Sequence, residues 1–115
     1  MRILSIVTFD RQTPHPHEDS DTPARMAALI QEMREKGVLI DTGGRAGQML
    51  EMRVSRKDGS LAVTDGPFAE SKDIVGGYAV LEVEDRNEAI AWTDRFLSLL
   101  GSGTCYLHEV FQPPE

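Results

Sequence analysis

The chain has one cysteine, Cys105, in 115 residues. No internal disulfide can form, so the core must hold without covalent staples. Aromatic residues make up only 6% of the sequence, and no stripe alternates them with basic residues as a base-stacking platform would. Positive charge is also scarce, with 12 Lys and Arg against 19 Asp and Glu and a net charge of -7. An acidic surface repels phosphate backbones, and the basic residues are scattered (Arg25, Arg34, Lys36, Arg45, Arg53, Arg56, Lys57). Direct nucleic-acid binding is therefore not expected. The apolar run from Ile3 to Phe9 is interrupted by Ser5 and Thr8 and is far too short to span a bilayer, so no membrane partner is expected. No signal-peptide pattern opens the sequence, and with the lone cysteine this gives a cytoplasmic location as the expectation.

What remains is an ordinary globular composition, 40% apolar and 27% charged. Its length suits a single domain over residues 1–115. Residues 2–9 are β-branched and apolar and read as an interior strand. Residues 10–22 are polar with two prolines and read as a loop. Thr22 followed by Pro23 predicts a helix start, and Met26, Leu29, Ile30 and Met33 give it one apolar face ending at Gly37. Residues 38–42 predict a second strand. Residues 49–56, with Leu50, Met52 and Val54 on one face, and residues 61–64 predict a hairpin closed by Lys57-Asp58-Gly59-Ser60. After a loop at 65–75, residues 77–83 read as a strand. Asp85 and Glu88 open a second helix whose apolar face is Ala89, Ile90, Thr93, Phe96, Leu97 and Leu100. Residues 104–111 form a last strand.

The order β-α-β-(β-β)-β-α-β predicts an α+β fold, ferredoxin-like with an added β-hairpin: an antiparallel sheet with two helices on one face. The other face is partly apolar. Ala79, Leu81 and Val83 oppose Tyr78, Val80 and Glu82, and Cys105, Leu107 and Phe111 oppose Tyr106, His108 and Val110. A half-apolar face without helices needs a cover, and a second copy of the sheet in a face-to-face homodimer is the simplest.

The stretch Val63-Thr64-Asp65-Gly66-Pro67-Phe68-Ala69-Glu70-Ser71-Lys72, followed by Gly76-Gly77-Tyr78, resembles the DGPF motif of the YCII-related superfamily. Gly37-Val38-Leu39, the helix start from Asp85 to Trp92, and Glu109-Val110-Phe111 with the proline-acid tail extend the likeness over roughly the whole chain. Two features depart from the pattern: the loop His15-Pro16-His17-Glu18-Asp19, and His108 where relatives often carry arginine. The resemblance implies a fold of the dimeric α/β barrel type. It implies a small-molecule-binding or regulatory module, in some members associated with an extracytoplasmic-function sigma factor. The alternative is a small cofactor-free enzyme, isomerase or monooxygenase-like, acting in the cleft between sheet and helices. The His–Asp pair proposed for the founding branch does not map cleanly here, so enzyme activity stays open. No cofactor is expected.

Candidate residues each have a structural reading beside the functional one. In the motif, Gly66 permits a sharp turn, Pro67 fixes φ and Phe68 can insert into the core. Asp65 can cap that turn, or can line a ligand cleft with Glu70, Lys72 and Tyr78. Asp41, beside Gly43-Gly44, can be a general base or a turn cap, and Asp65, Asp41 and His108 are the candidate catalytic groups. Tyr78 and Tyr106 can equally be interface packing. His15 and His17 with Glu18, Asp19 and Asp21 have metal-ligand chemistry, but a polar proline loop is more simply solvated, and no metal site is assigned. Cys105 has no cationic neighbour in sequence and reads as an inert thiol.

Overall fold

In the computed structural model the described residues are 1–10, 21–45, 49–68 and 73–114. Strands β1 (Arg2–Asp10), β2 (Leu39–Gly44), β5 (Asp73–Glu82) and β6 (Thr104–Val110) form an antiparallel sheet in the order β2-β5-β1-β6. Helices α1 (Thr22–Glu35) and α2 (Arg86–Leu100) are the crossovers. Strands β3 (Met52–Lys57) and β4 (Ser60–Asp65) form a separate two-stranded sheet. The fold is α+β and consistent with a ferredoxin-like domain carrying an added hairpin.

The strand register sorts side chains by face. Ile3, Ser5 and Val7 of β1 stand opposite Leu81, Ala79 and Gly77 of β5, and Ser5 and Val7 stand opposite Leu107 and Cys105 of β6. These residues point toward the helices, because the side-chain period of a strand is two. The buried core joins Ile3, Leu39, Leu81 and Val83 to Leu29 and Met33 of α1, Ala89 of α2, and Val38. The α1 face is the one its periodicity predicts. Its cap differs: Asp21 is the N-cap, without a side-chain cap bond, and Thr22 is already helical. Gly37, at φ 72°, takes the left-handed turn that ends the helix.

Helix α2 starts as predicted, with Asp85 accepting from the Glu88 amide at 2.9 Å. Its buried face is rotated from the predicted one. Ala89, Trp92, Phe96 and Leu99 reach the core, whereas Ile90 is 48% exposed. Phe111 also departs from the expectation: it follows the end of β6 and is 87% exposed.

Asp58 (φ 52°) and Gly59 (φ 78°) make the two-residue turn of the β3–β4 hairpin, as the Asp-Gly sequence requires. Leu50, expected inside β3, precedes it and is 76% exposed. The motif then leaves β4 through Gly66, whose amide donates to the Glu51 carbonyl at 2.7 Å. A β-carbon at Gly66 would sit 2.9 Å from that oxygen, so the close approach requires glycine. Phe68 does not enter the core cluster; it is half-buried, under the Arg53 guanidinium 5.5 Å from the ring centre.

Candidate functional site

Between the helices and the sheet lies a cavity of about 420 Å³. That is far larger than a packing defect. It falls within the roughly 300–1,000 Å³ span of small-molecule sites. The sheet supplies its floor through Ser5, Val7, Ala79, Leu81 and Cys105, while Met26, Ile30, Trp92 and Phe96 come from the helices. Glycines 43, 44, 76 and 77, from β2 and β5, also border it.

The lining is chemically quiet. Among the described lining residues there is no carboxylate, imidazole, ammonium or guanidinium. Cys105 is the titratable side chain on the cavity side of the sheet; Tyr78 borders the cavity from β5, but its ring stands on the helix-free face over Gly43. Burial pushes the Cys105 thiol up, and a hydrogen bond with Ser5 only partly offsets this. The thiol is thus a poorer nucleophile at neutral pH than a free cysteine. Tyr78 donates to Asp41 Oδ2 at 3.1 Å, and that bond, then the Asp41 charge, hold the phenol proton on. Neither group is poised to exchange protons near pH 7.

Helix packing frames the cavity. Arg95 of α2 donates to both carboxylate oxygens of Glu32 on α1, at 2.8 and 2.9 Å. This bidentate pair, with Lys36 alongside at 3.4 Å, holds the Glu32 pKa at about 2. Trp92 lines the cavity and also lies under Arg95 and Lys36, at 5.0 and 5.5 Å from the ring centre. Two cations and the cavity therefore converge on a single indole. The sequence reading missed Trp92, although its spacing three after Ala89 and four before Phe96 puts all three on one helical face.

Of the expected site residues, Tyr78 borders the cavity, and the others among the described residues do not gather here. Asp65 ends β4 on the hairpin, exposed and opposite Met52, and is not among the residues lining the cavity. Glu70 and Lys72 lie outside the described residues, as do His15 and His17. Among the described residues no group of three or more His, Cys, Asp or Glu is placed to hold a metal. Asp41 and His108 occupy one row of the sheet's helix-free face, Asp41-Val80-Leu4-His108, at its two opposite edge strands. Three strand spacings separate their backbones, about 14 Å, so they do not form an acid–base couple within one chain.

Asp41 has a different partner. Gly43 stands opposite Tyr78 across β2 and β5, and a β-carbon there would meet the Tyr78 ring at 2.6 Å. The phenol thus lies over the glycine and reaches Asp41, two residues along the same strand. The Thr42 amide donates to the other Asp41 oxygen at 2.8 Å, and the Thr42 hydroxyl donates to the Tyr78 carbonyl at 2.9 Å. These bonds fix the β2 edge beside the cavity wall.

Residues 1–105 match the family model of the YCII-related domain. No curated protein matches the chain. Among the described residues, no helix is long and apolar enough to cross a membrane.

Proposed function

The chain belongs to the YCII-related domain family, and from that premise and its cavity we propose that it is a binding module for a small, largely apolar molecule. The cavity between sheet and helices carries the reading. Its size suits a small ligand, and its walls are hydrocarbon and aromatic, with Ser5, Thr42, Thr93 and Cys105 as the small polar side chains among the described lining residues. Without an ionisable group free to cycle a proton near pH 7, the described lining favours holding a molecule over transforming one. The cytoplasmic assignment and a regulatory role, including a link to an extracytoplasmic-function sigma factor, rest on the sequence resemblance and the lone cysteine.

The helix-free face supports a homodimer. Leu4, Ile6, Tyr78, Val80, Tyr106 and Val110 share it, and Tyr78 and Tyr106 are 42% and 49% exposed. Aromatic and aliphatic side chains together on an uncovered sheet face are suited to an isologous interface.

Thermal melting tests the ligand reading. Small neutral aromatics added at about 100 times their Kd should stabilise the chain by roughly 2.7 kcal/mol, seen as a raised Tm. Ala79→Phe, which puts a ring into the cavity, should abolish that rise while the variant still melts cooperatively. A wild-type Tm indifferent to a panel of such compounds contradicts the proposal.

A further inference from the structure

Phe9 is the next residue on the cavity side of β1 beyond Ser5 and Val7, because side chains alternate along a strand. Glycines flank both edges of its ring. A β-carbon at Gly76 of β5 would clash with Cε2 and Cδ2 of the ring, and one at Gly103, just before β6, would sit 3.0 Å from Cε1. The ring therefore lies across the sheet, between two neighbours whose glycines leave it room. It lies on the helix side: the same Gly103 position meets a Leu97 methyl of α2 at 3.5 Å, and Gly76 borders the cavity. The register shifts at this place. Val7 stands opposite Gly77 and Thr8 opposite Val75, so Gly76 is the extra residue of a β-bulge against the ring. Phe9 is only partly buried and is not among the residues that form or pack on the core.

This position is a boundary. Along β1 the lining runs only from Ser5 to Val7, about 7 Å. At one end Ile3 and Val83 belong to the packed core, together with the lining residues Leu39 and Leu81. At the other end the space reaches Gly76 and meets the ring. The roof is adaptable, since Met26 and Met33 line it and an unbranched thioether chain fits varied shapes. A ring seated between two strands is a fixed stop by comparison. We propose that Phe9 is the end wall of the ligand cavity and sets the size of molecule it accepts: a compact, ring-sized apolar ligand and not a long acyl chain. This rests on the ligand reading given above and narrows it to a size class.

Isothermal titration calorimetry with 4-n-alkylphenols, from the methyl to the octyl member, measures the limit. In wild type, affinity should rise about fourfold per methylene while the tail is being buried, then stop rising at a cut-off within the series. Phe9→Ala should move that cut-off outward by about two methylenes, so that the first phenols beyond the wild-type limit gain about tenfold. The short members should bind as before. If Phe9→Ala does not melt cooperatively, Phe9→Leu takes its place and should move the cut-off in the same direction. A mere packing role would lower stability and leave the cut-off where it is. Affinity that climbs through the whole series in wild type, or a cut-off unmoved in the variant, would overturn the end wall, while binding of the short members would leave the ligand reading standing. Wild type that binds no member would overturn both.

Discussion

The Glu32–Arg95 pair joins the two helices through two hydrogen bonds, and it makes a testable statement about acid. Glu32 titrates near 2 when folded, against 4.5 for an ordinary glutamate. The carboxylate therefore favours the folded state above about pH 4.5, and that contribution fades as pH falls toward 2. Being solvent-facing, it should also weaken with added salt. Arg95→Ala should return the Glu32 pKa toward the ordinary value, read by NMR titration of the side-chain carboxyl. An unchanged, low value in that variant would mean that Arg95 is not its main cause. The Tyr78–Asp41 bond works in the opposite sense. It raises the phenol pKa, so its contribution is present below the ordinary value of 10 and is lost as pH climbs through the raised one. Asp41→Asn should lower the Tyr78 pKa in an NMR titration; no movement would remove Asp41 as the cause.

Helix α2 shows how an element can be recognised while its face is misassigned. Its start was legible because Asp85 and Glu88 have the local chemistry of a cap. Its buried side was not, because apolar residues cover more than one stripe, and only packing against the sheet and α1 selects Trp92 and Leu99 over Ile90. A stability pair checks this assignment. Leu29→Ala in α1 should cost about 2–4 kcal/mol in denaturant melts. Ile90→Ala should change stability by less than about 0.5 kcal/mol. Comparable losses at both positions would put Ile90 in the core. The motif at Val63 to Phe68 teaches a related lesson. The sequence marked it, and Gly66 does make the close turn, but Phe68 meets Arg53 instead of the core. Its glycine chemistry is local and readable, whereas the destination of a ring depends on residues far along the chain.

At the scale of the molecule, strand order and layers were legible from periodicity and turn chemistry, because a ferredoxin-like order follows from which elements alternate. The cavity was not. Its walls come from β1, α1, β2, β5, α2 and β6, and no local pattern encodes a space left unfilled. For the same reason the polar candidates Asp65 and His108 stood out in sequence yet lie away from it. The account's central claim is that this space takes a small apolar molecule. Trp92 lines the cavity and is the single tryptophan, so its fluorescence reports the site without labelling. Titrating wild type with a neutral aromatic quencher such as N-phenyl-naphthylamine should quench Trp92 saturably at one site per chain, and Ala79→Phe should reduce this to weak, non-saturating quenching. Linear, non-saturating quenching of wild type, identical in the variant, would contradict the account.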